Sequence, residues 1–371
     1  MSDMLKTILY PFVKNNIEYK AGSLLFMNAP KDATENNLAD AAIRPLSLKI
    51  YQWDKSKVSP EADILKDTVQ EDFSQIVKNM DDLEGQRFDC VFLLVPKQKH
   101  QAQYLLAQAF DHLKEDGLLV VAGGNKEGGA QLGSYFKKLG LDFQEQSKFK
   151  SRILWARSPV LNDRSVVNGW LKIGAAQNVT MKDQQGDKEF RSCPGLFSWN
   201  RIDVASNLLA QYLPQEFSGK GADLGCGYGY LSDRILSHAQ GDISLLCVDS
   251  DARAIEATQA NLNAYKEALD ENIGKVNIDY LWHDLSQGLP KIYDGKLDWV
   301  ISNPPFHIDK QVSNDLGICF IDTAAKALKK GGHLWLVANA HLPYENSLRE
   351  KFSDVKTVAQ EKGFKVFIAV K

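Results

Sequence analysis

The segment from Asp223 to Gly229, Asp-Leu-Gly-Cys-Gly-Tyr-Gly, has the residue types of a ligand-binding loop. Alternating glycines allow a sharp turn and a close approach of the backbone to a bound group. A strand is predicted before the loop, from Ala222 to Leu224, and a helix after it, from about Tyr230 to His238. Unpaired N–H groups at the start of such a helix attract an anionic group, such as a phosphate or a carboxylate. The candidates for ligand binding in this loop are Asp223, Gly225, Cys226, Gly227 and Gly229.

Two further acidic residues follow predicted strands in the same half of the chain. Asp249 closes the apolar strand that starts at Ile243 and lies about 24 positions after Gly225, and dinucleotide enzymes place the acid that binds ribose hydroxyls at a spacing of roughly 20. Asp284 follows the third strand, Val276 to Trp282, and suits the amino group of an adenine. The glycine pattern alone also fits a tight turn without a ligand. With both acids it predicts a cofactor that contains adenosine, and a nicotinamide enzyme stays open at this point.

The turn Asn303-Pro304-Pro305-Phe306 ends the fourth predicted strand, Leu297 to Ser302, at the strand end where open α/β sheets bind ligands. Its two prolines stiffen the turn and remove two backbone donors. What remains is rich in acceptors, because the Asn303 side-chain oxygen and the Pro304 carbonyl can accept both hydrogens of an exocyclic amino group. Phe306 would stack on the ring, a contact worth roughly 1–3 kcal/mol. The turn therefore predicts methylation of an amino group on a planar ring, with Asn303, Pro304, Pro305 and Phe306 as its catalytic residues.

Both motifs together predict S-adenosylmethionine as the cofactor. It has no phosphate, but its methionyl carboxylate can use the donors of the glycine loop, and Asp223 can meet its ammonium group. Asp249 would bind the ribose and Asp284 the adenine. Asn303, where the methyl group is transferred, is also expected to bind the cofactor. An in-line displacement depends mainly on positioning and electrostatic preorganisation, and no strong base is needed because the amine becomes acidic as it gains the methyl group. His307 fits a substrate contact or a surface histidine equally well and receives no role.

Strands and helices alternate through both halves of the chain, which predicts a doubly wound, mainly parallel sheet in each. Phe88 to Pro96 resembles Leu297 to Pro305, so we interpret the chain as an internal duplication. In the first copy no glycine-rich turn follows the opening strand, Ser23 to Met27. The first copy also has Val95-Pro96-Lys97 where the second copy has Asn-Pro-Pro. The first copy is therefore predicted to lack cofactor binding.

The predicted fold class is α/β, with two tandem Rossmann-like class I methyltransferase domains. Residues 1–158 form a degenerate first domain that docks the substrate or stabilises its neighbour, residues 159–194 a connector, and residues 195–371 the catalytic domain. Within the connector, Gly174 to Asp187 is polar and contains glycine, which predicts an exposed loop. Lys148, Lys150 and Arg152 have the even spacing of one strand face, which is either a phosphate-contacting stripe or a solvated surface.

Composition limits the class of protein. Apolar residues make up 44% and charged residues 25% of the 371 residues, and no run approaches the roughly 18 apolar residues of a membrane span. The N-terminus shows no signal peptide, so we expect a cytoplasmic protein. We also expect a monomer. Five cysteines without a Cys-x-x-Cys pair argue against a disulfide framework and a zinc site, and no metal is expected. The net charge of -3 gives no support of its own for a nucleic-acid partner.

Further stretches accompany the two motifs: Cys193 to Ser198, Ile202 to Ser206, Val337 to Tyr344 and Phe364 to Phe367. With them the second half resembles the bacterial 16S ribosomal-RNA guanine-N2 methyltransferases, and a weaker likeness covers the first half. The resemblance implies methylation of the exocyclic N2 of a guanine in small-subunit ribosomal RNA. It also implies a degenerate first domain with a docking role, and ribosomal RNA within the small subunit as the partner.

Three alternatives stay open. The related large-subunit guanine-N2 methyltransferases share the architecture and most of the motifs. A protein glutamine-amide methyltransferase would use the same Asn-Pro acceptors, although that family usually carries Tyr where this chain has Phe306. The non-enzymatic alternative is an RNA-binding assembly factor that retains a cofactor fold, against which the intact loop and turn count. The chain departs from the family pattern at Trp199-Asn200-Arg201, where an Arg-containing stretch is usual, and this departure could alter a substrate contact.

Overall fold

The computed structural model describes residues 1–20, 22–58, 74–158, 163–267, 274–305 and 310–371. They form two compact units, Met1–Ala175 and Ala176–Lys371. The division between the units falls inside the segment predicted as a connector, residues 159–194. Phe306, a predicted catalytic residue, and His307 lie outside the described residues.

The first unit is built around one sheet with helices on its faces. Its strands are β1 (Ser23–Met27), β2 (Ser47–Tyr51), β3 (Ser74–Val77), β4 (Phe88–Leu94), β5 (Leu113–Gly124), β6 (Phe143–Lys148) and β7 (Ser151–Arg157). Their order is β3-β2-β1-β4-β5-β7-β6, with β7 antiparallel to β5 and to β6 and the other neighbours parallel. Its helices are α1 (Asp3–Val13), α2 (Glu35–Asp40), α3 (Lys99–Asp111), α4 (Leu132–Lys138) and α5 (Ser165–Gly174).

The second unit begins with an antiparallel hairpin of β8 (Gln177–Asp183) and β9 (Gly186–Ser192). The predicted exposed loop from Gly174 to Asp187 is therefore wrong. Along these strands, apolar residues alternate with polar ones, and Met181 and Phe190 are only 2% exposed in the core. The polar residues that suggested a loop form the outer face of the hairpin, as period-two alternation requires.

The remaining strands of the second unit are β10 (Phe217–Leu224), β11 (Ala239–Asp249), β12 (Val276–Trp282), β13 (Leu297–Ser302), β14 (Leu328–Asn339), β15 (Asp354–Glu361) and β16 (Phe364–Val370). Its helices are α6 (Val204–Ala210), α7 (Tyr230–Leu236), α8 (Ala252–Glu267), α9 (Lys310–Ala327) and α10 (Tyr344–Lys351). The sheet order is β12-β11-β10-β13-β14-β16-β15, again parallel except at the last two strands. Because both sheets share one strand order and one set of directions, the predicted pair of tandem Rossmann-like domains is confirmed.

The central strands of the second sheet bring the two sequence motifs together. β10 and β13 are parallel neighbours, and Leu224 pairs with Ser302 at their carboxyl ends. Both strands are buried at these carboxyl ends, as expected of central strands in a parallel sheet. The Ser302 hydroxyl donates to the Leu224 carbonyl at 2.7 Å, which ties the strand ends together. The glycine loop and the Asn-Pro-Pro turn therefore start from adjacent points on one edge.

The described residues include neither a membrane-spanning helix nor a cluster of metal-ligating side chains. Within these residues no helix is long and apolar enough to cross a membrane. The same part of the chain contains no group of three His, Cys, Asp or Glu side chains that could hold a metal ion. All five cysteines are free thiols, and all except Cys319 are buried.

Candidate active site

The glycine loop connects β10 to α7 and is fastened to the neighbouring strand β11. Gly225, Gly227 and Gly229 have φ values of 81°, 58° and 90°, a region that side chains with a Cβ rarely adopt. The backbone N–H groups of Gly225 and Cys226 donate to the Val248 carbonyl at 2.8 and 3.0 Å. The loop is thus preformed by backbone bonds rather than shaped only by a ligand.

Asp223, the last acid before the loop, lies directly beneath it. It is 0% exposed, and its Oδ2 accepts a hydrogen bond of 2.7 Å from the Ser232 hydroxyl. Its Oδ1 is buried and has no partner among the described residues. Burial raises the pKa of Asp223 to about 7, and the negative charge of Asp249 adds to the rise. A buried carboxylate oxygen without a partner is what a cationic ligand group would satisfy, which fits the ammonium group of S-adenosylmethionine.

The two other predicted acids brace loops at the same edge of the sheet. Asp249 Oδ2 accepts from the Gly227 N–H at 2.9 Å, and its Oδ1 accepts from the Asp251 N–H at 2.8 Å. Asp284 caps the short helical turn after β12 by accepting from the Ser286 N–H at 2.9 Å. Asp249 therefore contacts the glycine loop directly, whereas Asp284 lies two residues beyond Trp282, the residue that pairs with Asp249 across the sheet.

The side-chain amide of Asn303 has a defined orientation. Its Nδ2 donates to Asp203 Oδ2 at 3.0 Å and to Ser206 Oγ at 2.8 Å. A carboxylate can only accept, so Asp203 fixes which end of the amide faces it. Asn303 Oδ1 is consequently turned away, buried and without a partner among the described residues. This oxygen is the acceptor that the sequence predicted, and the geometry leaves it unsatisfied.

The prolines of the turn differ in their surroundings. Pro304 is buried and Pro305 is exposed. Neither has an N–H to donate, so these two positions contribute carbonyl acceptors and no backbone donor. The acceptor character predicted from the sequence is therefore kept in the structure.

An open pocket lies between the loop and the turn. Four of the predicted residues line this pocket: Gly225, Cys226, Gly227 and Asn303. Asp223, Asp249 and Asp284 do not line it within the described part of the chain. The structure thus gathers four of the predicted loop and turn residues around one cavity, whereas Gly229, Pro304 and Pro305 do not line it.

Seven pocket residues were not among the candidates from the sequence: Phe197, Ser198, Asp203, Ser206, Tyr228, Tyr230 and Leu231. Phe197 is 53% exposed, which is unusual for an aromatic ring beside a pocket, and Ser198 has a φ of 50°. Asp203 caps α6 by accepting from the Ser206 N–H at 2.9 Å. The cap signal was present, since an Asp before an apolar run predicts a helix start. Asp203 also accepts a hydrogen bond from Asn303. No local sequence pattern predicts this second role, because 100 residues separate Asp203 from Asn303.

The hairpin β8–β9 supports the glycine loop from outside. Phe190 packs against Tyr228 and Tyr230, with ring centroids 5.3 and 6.1 Å apart. The Asn261 side chain of α8 bridges the two parts by donating to the carbonyls of Arg191, at 3.0 Å, and Tyr228, at 2.7 Å. The segment predicted as a connector therefore forms part of the frame of the pocket.

The first unit has lost the corresponding groups. Asn28 takes the place of Gly225, because its N–H donates to Tyr51 at the end of β2 just as Gly225 donates at the end of β11. Asn28 has a φ of 56°, and its side chain donates to the Leu94 carbonyl at 2.7 Å. Gln52, the counterpart of Asp249, donates to the Ala29 carbonyl at 2.7 Å. Polar side chains thus bond to the backbone at this edge, and the predicted degenerate first domain is confirmed.

The register of β4 sets which residues of the first unit correspond to the Asn-Pro-Pro turn. Leu93 pairs with Met27 as Ser302 pairs with Leu224. The counterparts of Asn-Pro-Pro are therefore Leu94, Val95 and Pro96, and the predicted alignment with Val95-Pro96-Lys97 is wrong by one residue. The same register makes Phe26 the counterpart of Asp223, so the first unit lacks that acid too.

The doubly wound sheet, its glycine loop and its acceptor-rich turn together define a class I S-adenosylmethionine-dependent methyltransferase. The models of the methyltransferase small domain and of its N-terminal domain match residues 187–368 and 12–156. Ribosomal RNA small subunit methyltransferase C of Shewanella sediminis is 29% identical over 96% of both chains, and that of Shewanella pealeana is 33% identical over 76% of this chain and 78% of its own. The chain belongs to the ribosomal RNA small subunit methyltransferase C family.

A solved structure shows the same fold over the whole chain. It is the T. thermophilus 16S rRNA N2 G1207 methyltransferase in complex with AdoMet and guanosine. The TM-score is 0.75 at 20% identity, and the match covers 100% of this chain and 92% of the other. The likeness confirms the two-domain methyltransferase fold.

Proposed function

We propose that this chain transfers a methyl group from S-adenosylmethionine to the exocyclic N2 of a guanine in 16S ribosomal RNA. The observation that carries the proposal is the buried Asn303 Oδ1, which has no partner among the described residues and belongs to an amide that borders the pocket. Leaving such an acceptor unsatisfied costs about 1–3 kcal/mol, so a substrate donor is the expected partner. Membership of the family and the names of the relatives support guanine in small-subunit RNA as the source of that donor.

The cofactor would be held by the residues around the glycine loop. We assign its methionyl carboxylate to the loop of Gly225, Cys226, Gly227 and Gly229, and its ammonium group to Asp223. Asp249 and Asp284, at the ends of the next two strands, are assigned to the ribose and the adenine. When bound, S-adenosylmethionine supplies an electrophilic methyl group.

The protein contributes orientation rather than proton transfer. Asn303 Oδ1 would accept one hydrogen of the guanine amino group and the Pro304 carbonyl the other, which aims the nitrogen lone pair at the methyl group. Asp203 and Ser206 act as positioning residues, because their bonds to Nδ2 keep the oxygen pointed at the substrate. Phe306 would stack on the base beside Pro305. Fixed dipoles of this kind lower the barrier because they need no reorganisation during the reaction.

The partner and setting follow from the same substrate. We propose ribosomal RNA within the small subunit as the partner, the cytoplasm as the location, and a monomer that uses no metal. The first unit, Met1–Ala175, is proposed as the docking domain, since it has Asn28 and Gln52 where the second unit has Gly225 and Asp249. Residues 176–194 are assigned to the catalytic domain, because their hairpin packs into its core.

The decisive experiment incubates the purified protein and methyl-labelled cofactor with separate small and large ribosomal subunits from a strain that lacks the gene. Nucleosides from the digested RNA are then identified by mass. N2-methylguanosine from the small subunit alone is the expected result. Label in large-subunit RNA would mean that the substrate is large-subunit ribosomal RNA, as for the related guanine-N2 methyltransferases. Label in protein, or no label at all, would contradict an RNA substrate.

Substitution of a loop glycine tests the cofactor site separately from the chemistry. Gly227 has a φ of 58° and Gly295 a φ of 62°, and a Cβ added at either would meet no other atom within 4 Å. Both alanine variants therefore carry the same backbone strain, about 1–2 kcal/mol, but only Gly227 lines the pocket. We expect Gly227→Ala to weaken cofactor binding at least ~10-fold relative to Gly295→Ala in calorimetric titration. Equal affinities would place the cofactor elsewhere.

A further inference from the structure

The hairpin of β6 and β7 in the first unit ends in a two-residue turn, Phe149-Lys150. Lys148 pairs with Ser151 across the hairpin, and the two turn residues have positive φ values of 51° and 55°. Turns with positive φ at both central residues favour Asn-Gly and similar pairs, because a Cβ is strained there. The first unit therefore holds a bulky aromatic residue and a lysine where the backbone disfavours both.

The second unit makes the same turn with a residue that suits it. Between β15 and β16, Lys362 and Gly363 have φ values of 53° and 82°. The Gly363 carbonyl accepts from the Ala340 N–H at 2.8 Å, just as the Lys150 carbonyl accepts from the Asn125 N–H at 3.0 Å. The fold thus accommodates glycine at this position, so architecture does not account for the lysine. Strain that persists without a structural need is a feature of binding sites.

The side chains at this turn form an exposed aromatic and cationic cluster. The Phe149 ring is 42% exposed and meets Tyr10 of α1 edge to face, with centroids 6.3 Å apart. The Lys148 ammonium lies 5.5 Å from the Tyr10 ring centroid and 5.7 Å from that of Phe149. These cation–π contacts hold the ammonium beside the ring, so an aromatic face and a positive charge are presented together.

A third loop adds positive charge to this cluster. The bond from Asn125 to Lys150 brings the loop after β5 against the turn, and that loop continues with the exposed Lys126 and Glu127. Lys126, Lys148 and Lys150 are exposed and form no ion pair with another described residue. The turn and this loop together therefore carry three lysines and one acid, Glu127. We call Lys126, Lys148, Phe149 and Lys150, with Tyr10, the β6–β7 tip.

Arg152 does not belong to this surface. The predicted stripe of Lys148, Lys150 and Arg152 on one strand face is wrong, because the chain reverses at residues 149–150 and Arg152 pairs with Ser147 on the opposite strand. Arg152 also forms a 2.9 Å ion pair with Glu145, so its charge is already neutralised. The positive charge is concentrated at the tip rather than spread along the strand.

We propose that the β6–β7 tip is an RNA-contact surface on which Phe149 stacks against an unpaired base while the lysines neutralise the adjoining phosphates. An aromatic platform flanked by cations is the combination that single-stranded nucleic acid requires. The proposal rests on the proposed ribosomal-RNA substrate and adds to it the place where the first unit grips that RNA. The tip lies outside the catalytic unit, so it contributes to binding and not to the methyl-transfer step.

The test replaces Phe149 and Lys150 together in the full-length chain, as a Phe149→Asn/Lys150→Gly double variant. This pair suits the turn, so we expect the melting temperature to rise by about 2–4 °C. RNA affinity should fall at least ~10-fold through the lost stacking, and the slope of log affinity against log salt should decrease by about 0.7 through the lost phosphate contact. Filter binding to small subunits from a strain that lacks the gene measures both. In the methylation assay KM for the subunit should rise at least ~10-fold while kcat stays within about twofold.

The matched control is Lys362→Asn, which creates the same favourable turn in the second unit and also removes one positive charge. It should raise stability to a similar degree and leave the RNA affinity within about twofold. An RNA affinity and KM unchanged in the double variant would overturn the inference, and so would an equal loss in the control. If the unaltered chain methylated no ribosomal RNA, the proposed function itself would be wrong, which is a distinguishable result.

Discussion

Asn303→Ala is expected to lower kcat by about 10²–10³ while cofactor binding stays within about threefold. The buried Asn303 Oδ1 is the acceptor proposed to orient the amino group, and loss of one such preorganised group has an effect of this size in other enzymes. The cofactor affinity should hold because the glycine loop is fastened by its own bonds to Val248. Single-turnover methylation and calorimetric titration of the cofactor measure the two quantities separately.

A pair of substitutions at Asp203 tests why the Asn303 amide points as it does. One oxygen, Asp203 Oδ2, accepts both from the Ser206 N–H that it caps and from Asn303 Nδ2. Asn caps as well as Asp, so Asp203→Asn keeps an acceptor at this place, and kcat should stay within about threefold. Asp203→Ala removes the acceptor and frees the Asn303 amide to turn, so kcat should fall about 10- to 100-fold. Equal kcat values for the two variants would contradict the positioning role of Asp203.

Asp223→Asn is expected to weaken cofactor binding about 10- to 100-fold and to stabilise the ligand-free protein at neutral pH. The two effects have opposite signs because the buried carboxylate lacks a partner for Oδ1 until a cation arrives. Asn keeps the acceptor for the Ser232 hydroxyl but carries no charge to desolvate. Thermal unfolding with and without cofactor measures both effects on one sample.

The pH dependence follows from the pKa of Asp223, about 7 in the folded protein against roughly 3.9 in an unfolded chain. Between pH 4 and pH 7 the folded state binds more protons than the unfolded one, so the free energy of unfolding falls as the pH rises through this window, by up to ~4 kcal/mol. Asp223→Asn should abolish this decline and match the wild type near pH 4. Cofactor affinity of the wild type should increase with pH up to about 7, below the roughly 7.7–8.0 at which an α-amino group titrates. A flat wild-type profile would mean that Asp223 meets no cation.

The sequence predicted the elements that local pattern determines. β13 and the Asn-Pro-Pro turn were found because the apolar run of β13 ends at a polar residue followed by two prolines, and a buried parallel strand is typically such a run. The hairpin of β8 and β9 was missed because its outer face is polar, and only Val179, Met181 and Phe190 mark the inner one. A two-period pattern this short is easily taken for a loop.

The site was predicted in its parts but not in its connections. The spacing of the glycines predicted the loop, and the acceptors of the turn predicted the chemistry. Both predictions were possible because each pattern lies in consecutive residues. The bond from Asn303 to Asp203 joins residues 100 positions apart, and the bond from Gly227 to Asp249 depends on how two strands end. Such pairs depend on the whole fold, so the pattern of residue types along the chain does not predict them.

The glycine loop belongs to the second unit alone, because Asn28 and Gln52 stand at the matching edge of the first unit and bond to backbone carbonyls. A ligand present at a hundred times its dissociation constant adds about 2.7 kcal/mol to the stability of the unit that binds it. On the proposed function, that gain goes to the second unit alone. The cofactor concentration in the cell would therefore change the stability of the second unit and leave that of the first unit as it is.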